Sequence, residues 1–374
     1  MRKSLSLLLL WILAACQPAA TAVPPVASPA ADSMTATITP APSPTVTVTP
    51  TATPTIEQAI FPYTIAGLRA HEYQSGLVRI RKTLDETDNY TAYLIEYPSD
   101  GLTITGVMQI PRGEGPFPVI VMNHGFFARS VYATGDGTDR ASIFLAEHGY
   151  LTLASDYRSW AASDIGESLF YSGLAIDVIN LLEAIPSIPQ ADPGRVGLWG
   201  HSMGGGVTMK VLTVIGPQNL VAPVTVKAAV LYSTVSADMS DVIARWGNGC
   251  FGDIAAGEQI IGCNSADVVP LDLPEQLLRA YTFTAGNAEA MQTVSPIFHL
   301  EAVQVPIQIH YGEKDGRTSA GTPPEWSVKL TQALRDAGKT AEMLAYPDQG
   351  HSFIGEPWFQ FMIRVLRFFD ANLK

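Results

Sequence analysis

The apolar run Arg195-Val196-Gly197-Leu198-Trp199 leads directly into Gly200-His201-Ser202-Met203-Gly204-Gly205. This Gly-x-Ser-x-Gly pattern constrains the fold more than any other stretch of the chain. The run predicts a buried strand, and Gly204-Gly205-Gly206-Val207 predicts the start of a helix. Glycines two residues either side of the serine let strand and helix approach closely while Ser202 occupies a strained turn. That geometry lifts a hydroxyl clear of the sheet, where a base can reach it. Ser202 is therefore a candidate nucleophile, and the rest of the chain must supply its partners.

Around this elbow, short continuous apolar runs alternate with helical patterns. Tyr90–Pro98 and Leu102–Pro111 alternate in period two about Ser99-Asp100-Gly101 and predict a hairpin with an Asp-Gly turn. Strands are expected at 118–123, 151–155, 228–232, 307–311 and 341–346. Helices are expected at 140–148, 324–337 and 358–371. A further one over 174–185 is read as amphipathic, with Leu174, Ile176, Val178, Leu181, Leu182 and Ile185 on its apolar side. Alternation of this kind predicts an α/β fold: a mostly parallel central sheet with helices on both faces. Residues 236–304 interrupt it and hold Cys250, Cys263, Trp246 and Phe251. A stretch this long between strands is expected to be a lid or pocket wall, the alternative being packing on the sheet edge.

Before the folded part lie two segments of different character. Arg2 and Lys3 precede the apolar Leu5–Leu13, which is too short to span a bilayer as a helix. The following Leu13-Ala14-Ala15-Cys16 resembles the lipobox of bacterial lipoprotein signal peptides. That resemblance implies cleavage of a signal peptide over 1–15 and lipidation of Cys16, hence a protein exported across the cytoplasmic membrane and anchored at the bacterial surface or in the periplasm. An ordinary secretory signal is the alternative. Residues 16–56, rich in Pro, Thr and Ala, predict an extended tether, with the folded domain at 57–374. Outside the cytoplasm, Cys250 and Cys263 read as a disulfide, with metal ligation as the alternative. No metal cluster, phosphate loop or organic cofactor is implied. A net charge of −12 argues against nucleic acid as a partner. Oligomeric state leaves no mark in the sequence.

Serine is a weak nucleophile and needs a base within hydrogen-bond reach, itself oriented by a third group. In a doubly wound sheet these groups sit beyond the carboxyl ends of strands. Gly312-Glu313-Lys314-Asp315 follows one predicted strand, and Pro347-Asp348-Gln349-Gly350-His351 follows the next. Ser202, Asp315 and His351 thus stand as nucleophile, acid and base, in the order expected for this architecture. Asp348, three residues before His351, competes with Asp315 for the acid. The backbone N–H of Met203 is the first candidate donor to an oxyanion. His124 and His201 are expected to be structural. Phe127, Tyr132, Trp160, Trp246 and Phe251 are expected in the core before any pocket.

Five pieces together resemble the α/β-hydrolase fold, nearest to the catalytic domains of the prolyl oligopeptidase family and related dienelactone-hydrolase-like bacterial esterases. They are His124-Gly125, Ser155-Asp156-Tyr157-Arg158, Trp199–Gly205, Tyr311–Asp315 and Tyr346–His351, in order across residues 90–370. The resemblance implies a serine hydrolase acting through an acyl-enzyme, with the Phe126 N–H as second oxyanion donor. Two departures stand out. Only about 35 residues separate tether from hairpin, too few for the β-propeller usual in the peptidases, and Gly316-Arg317-Thr318-Ser319 replaces the usual apolar-Pro segment after the acid. The expected activity is cleavage of carboxylic esters; a polyester hydrolase shares the same Gly-His-Ser-Met-Gly-Gly elbow, which does not select a polymer substrate. The alternatives are a peptidase on short peptides and a non-catalytic surface binding protein.

Overall fold

The computed structural model describes residues 54–374 except 75, 217–220, 248 and 253–267. The expected signal peptide, the tether to residue 53, Cys16 and Cys263 lie outside the described residues, and with them the lipidation and disulfide expectations.

Among the described residues, eleven strands follow in chain order: β1 (Arg79–Glu86), β2 (Tyr90–Ser99), β3 (Leu102–Pro111), β4 (Phe117–Asn123), β5 (Leu151–Ser155), β6 (Ala191–His201), β7 (Val226–Tyr232), β8 (Cys250–Gly252), β9 (Val268–Pro270), β10 (Ile307–Gly312) and β11 (Ala341–Tyr346). Ten α-helices accompany them: α1 (Ile56–Ile60), α2 (Ile65–Arg69), α3 (Asp139–Glu147), α4 (Ser172–Ala184), α5 (Met203–Ile215), α6 (Met239–Trp246), α7 (Glu275–Ala285), α8 (Ala288–Val294), α9 (Pro324–Asp336) and α10 (Glu356–Leu373). Nine strands form one sheet in the order β1-β2-β3-β5-β4-β6-β7-β10-β11, and β8 pairs with β9 separately. From β5 to β11 every pairing is parallel, while β1, β2 and β3 form an antiparallel edge that joins at β5. The β2–β3 register closes at Ser99 opposite Leu102. Asp100 and Gly101 take φ of 51° and 79°, the left-handed pair that an Asp-Gly hairpin turn supplies.

Strand β4 explains why its sequence is a continuous apolar run. Val119 and Val121 enter the core on the α4 and α5 side, while Ile120 and Met122 enter the core on the α3 and α10 side. All four are fully buried, so neither face reaches water. On α10, Trp358, Phe361, Met362, Val365, Phe369 and Leu373 recur at helical spacing and are buried on that second face. Each such large side chain contributes about 1.5–3 kcal/mol by leaving water.

Helix α4 departs from expectation. It is buried nearly all round, Asp177 and Asn180 included, so its polar positions do not face solvent. Arg158 is the reason. Its guanidinium lies 2.8 Å from Asp177 Oδ1, and its backbone N–H donates to Asp177 Oδ2 at 2.8 Å. Ser99 Oγ adds a 2.6 Å bond to Asp177, and Asn180 Nδ2 donates to Ser99 at 3.0 Å. The stretch 169–187 is long and apolar enough to cross a membrane, but it is buried inside the fold as a core helix.

Candidate active site

Strand β6 ends at His201, and α5 begins at Met203, so the whole turn is Ser202. Its φ of 55° and ψ of −120° are strained for a residue with a side chain. Backbone bonds hold it there. Its N–H donates to Tyr232 O at 2.9 Å, and its carbonyl accepts from Gly205 N at 3.0 Å and Val235 N at 3.1 Å. The glycines are required by contact: a Cβ on Gly204 would lie 2.0 Å from Asn123 O, and one on Gly200 would lie 2.3 Å from Gly204 O.

Ser202 Oγ lies 2.9 Å from His351 Nε2, and His351 Nδ1 lies 3.0 Å from Asp315 Oδ2. The three residues follow the carboxyl ends of β6, β11 and β10; β10 and β11 are neighbours in the sheet, and β7 lies between β10 and β6. The loops bearing Asp315 and His351 are stitched together, since Glu313 N donates to Tyr346 O (3.1 Å) and Lys314 N to Gln349 O (2.8 Å). Asp348 takes no part in this chain. It pairs with Lys314 at the surface, its side chain 78% exposed.

Asp315 is buried, and its carboxylate is saturated with donors. Gly316 N and Thr322 N donate to Oδ1 at 2.7 and 3.0 Å, while the Thr322 hydroxyl lies 2.8 Å from Oδ2. Burial alone would raise its pKa, but the bond and charge of His351, with Thr322 and Gly316, hold it below the usual carboxylate range. Thr322 is a site residue that sequence reasoning missed. It stands seven residues past the acid before Pro323-Pro324, and no motif marks it. The His201 ring lies tilted beside that of His351, centroids 4.9 Å apart, and points Nε2 at the His351 carbonyl, 3.2 Å away. Burial, and secondarily the charge on His351, push the His201 pKa down to about 3. It therefore stays neutral and adds no second positive charge when its neighbour takes a proton.

Gly125 and Phe126 follow β4 and face Ser202; a Cβ on Gly125 would lie 3.1 Å from Ser202 Cβ. The loop is braced from behind. His124 is buried between the rings of Tyr132 (4.6 Å) and Tyr157 (4.3 Å), with Nδ1 2.6 Å from Gly125 O and Nε2 3.2 Å from Asp156 O. Burial lowers its pKa. Asp156 accepts from Tyr132 (2.8 Å), Gly135 N (3.1 Å) and Thr105 (2.7 Å), and Trp160 Nε1 donates to Phe127 O at 3.0 Å. Met203 N–H is the first amide of α5, a position with no partner inside its own helix.

A cavity of about 190 Å³ opens on Ser202 and His351, with Phe126, Met203, Tyr171, Val235 and Trp246 among its walls. Phe127 and Trp246 thus line the pocket, whereas Tyr132 and Trp160 belong to the buried brace behind His124. The side chain of Phe251 lies outside the described residues. Tyr171 was not foreseen; it reaches the pocket because Phe170 and Tyr171 turn the chain with φ of 53° and 63°. From the 236–304 insertion, α6 supplies Trp246, while α7 stacks Tyr281 on Phe170 at 4.6 Å. Among the described residues, no group of three His, Cys, Asp or Glu is placed to hold a metal.

This sheet, with a strained serine after β6, has the α/β-hydrolase fold. Residues 267–374 match the prolyl oligopeptidase family model and residues 160–224 the acetyl xylan esterase model. The likeness to the prolyl oligopeptidase family thus lies in the C-terminal part of the chain, within an α/β-hydrolase fold. Esterase FrsA of Escherichia coli (strain K12 / DH10B) is 29% identical over 121 residues, 32% of this chain and 27% of that protein. The match thus spans about a quarter of the length of such curated relatives. Among solved structures, an acetyl xylan esterase from Paenibacillus sp. R4 superposes with a TM-score of 0.54 at 17% identity, over 85% of this chain and 95% of that one. The Pyrococcus horikoshii acylaminoacyl peptidase superposes with a TM-score of 0.53 at 22% identity, over 77% of this chain and 43% of that one.

Proposed function

We propose that the protein is a serine esterase that cleaves small carboxylic esters through an acyl-enzyme. The observation that carries this is the unbroken chain Ser202 Oγ–His351–Asp315, at 2.9 and 3.0 Å, opening on a compact and mainly apolar pocket. Ser202 Oγ attacks the ester carbonyl as its proton passes to His351 Nε2. Asp315 holds the Nδ1–H tautomer and stabilises the imidazolium. The N–H groups of Met203 and Phe126 receive the oxyanion, each worth about 10²–10³ in rate. The tetrahedral intermediate expels the alcohol, which takes the proton from His351. Water, deprotonated by the same base, then releases the acid.

Ester over amide is supported by the esterase name of the curated relatives and by the match at 160–224. The match at 267–374 supports a second reading, a peptidase on short peptides. Turnover of p-nitrophenyl acetate against a panel of peptide p-nitroanilides separates them. The esterase reading expects ester turnover reduced by about 10⁴-fold or more in Ser202→Ala. Peptide turnover without ester turnover overturns it. A folded wild-type protein inert on both supports the surface binding protein.

Export and lipid anchoring through Cys16 form part of the proposal, supported by Arg2, Lys3 and the apolar segment before the cysteine. Metabolic labelling with a fatty-acid analogue, lost in Cys16→Ala, tests it; an unlabelled cytoplasmic protein contradicts it. A Cys250–Cys263 disulfide goes with that compartment, and non-reducing peptide mapping detects it.

A further inference from the structure

We propose that Arg245, on helix α6 of the 236–304 insertion, is a positioning residue for Asp315. The insertion then sets the catalytic acid in place as well as walling the pocket. This rests on the triad reading above.

Arg245 Nη2 donates to the carbonyls of Gly316 (3.1 Å) and Thr318 (2.7 Å), and Trp246 Nε1 donates to Ser319 O at 2.6 Å. The backbone of the loop after the acid is thus held from one side by two consecutive residues of α6. On its other side the same loop wraps the carboxylate. The N–H groups of Gly316 and Thr322 both donate to Asp315 Oδ1, and a Cβ on Gly321 would lie 2.5 Å from that oxygen. Gly316 therefore faces both ways, its N–H on the acid and its carbonyl on Arg245. Residues 317–320 are exposed, so packing contributes little to the shape of this turn. Charge-assisted bonds from a guanidinium are the strong kind, and the two N–H groups of one Nη2, fixed in the guanidinium plane, set the direction of both carbonyls.

Helix α6 is itself anchored so that it can serve as the fixed side. Lys329 of α9 reaches Asp238 Oδ2 (2.8 Å) at the start of α6 and Asp241 Oδ2 (2.9 Å) one turn later. At the other end, the Arg245 guanidinium lies 5.6 Å from the Trp246 ring centroid and 5.9 Å from that of Trp326 in α9. The acid loop runs straight into α9 at Pro324, so α6, loop and α9 close on one another. The departure noted in the sequence, Gly316-Arg317-Thr318-Ser319 after the acid, is the segment so clamped.

The test compares wild type, Arg245→Met and Arg245→Lys on a p-nitrophenyl ester. Thermal midpoints and fluorophosphonate labelling of Ser202 are measured on the same samples. Arg245→Met is expected to lower kcat about tenfold, with a smaller change in KM, because the acid is displaced and not the substrate. The acid limb of its kcat/KM profile moves to lower pH, because a displaced carboxylate stabilises positive charge at the site less well. Arg245→Lys, with a point charge in place of the fork, falls between the two. Unchanged kcat and acid limb in Arg245→Met overturn the proposal. So does a loss of activity that tracks the thermal midpoint in both variants with an unmoved acid limb. Should Arg245→Met not fold, an unshifted acid limb in Arg245→Lys overturns it. Absence of labelling at Ser202 in the wild type refutes the hydrolase reading itself, whereas labelling there with an indifferent Arg245 refutes this inference alone.

Discussion

Thr322 meets Asp315 twice, through its backbone N–H at 3.0 Å and through a hydroxyl 2.8 Å from the second carboxylate oxygen. The same hydroxyl lies 2.9 Å from Ser233 O, which joins the acid loop to the segment following β7. Thr322→Val keeps the shape and the N–H contact and removes the hydroxyl. The carboxylate then loses a contact, and a buried carbonyl loses its partner, a cost of about 1–3 kcal/mol. We expect a lower thermal midpoint and about tenfold lower kcat in steady-state assays, because a loosened acid orients His351 less well.

Ser202 is held in a strained backbone conformation. At φ 55°, ψ −120°, a glycine is at ease and any side chain is not. Ser202→Gly is therefore expected to be more stable than Ser202→Ala by about 1 kcal/mol, while both abolish ester turnover. Denaturant unfolding of the two variants measures the difference, and equal midpoints would contradict it.

Two buried histidines and the half-buried His201 predict where acid destabilisation begins. Burial pushes both His201 and His310 down to about 3 from 6.5 and lowers His124 as well. A group whose folded pKa lies below its unfolded value is protonated first in the unfolded chain. Its stabilisation is complete above about pH 6.5 and drains as pH falls towards the folded value. Unfolding midpoints should therefore decline from about pH 6.5, above the range where carboxylates titrate. His310→Gln, which can still meet Tyr346 or Gln308, should flatten part of that slope.

Arg158 and Asp177 form a buried pair whose members depend on each other. Asp177→Ala leaves a guanidinium with little access to water and is expected to cost about 3–5 kcal/mol in chemical denaturation. Removing both, as Arg158→Met with Asp177→Leu, should cost less than that single change, and a double-mutant cycle measures the difference.

Most of the sheet was legible because strands buried on both faces must be apolar throughout, as β4 is, and because an Asp-Gly pair between two alternating apolar runs marks a hairpin. The elbow was legible because close approach of β6 and α5 dictates glycine at fixed positions. What escaped notice has equally physical causes. Strand β1 is exposed along its whole length and carries no alternation. Helices α1 and α2 have five residues each and rest on caps from Thr55 and Thr64 more than on periodicity. The polar positions of α4 read as a solvent face because their partner, Arg158, comes from a distant loop. At the site, local pattern offered both Asp315 and Asp348, and only the fold of the acid loop distinguishes a buried carboxylate from one paired with Lys314 at the surface. Thr322 and Arg245 matter through where a loop returns, which no local spacing records.

The central claim is that Ser202 carries the acyl group. Rapid acid quench of the protein with p-nitrophenyl acetate, followed by peptide mapping in a mass spectrometer, tests it most directly. The account predicts one acetyl adduct on the peptide containing Ser202, formed within the first turnover and absent in Ser202→Ala. An adduct on another residue, or ester turnover that survives Ser202→Ala, would contradict it.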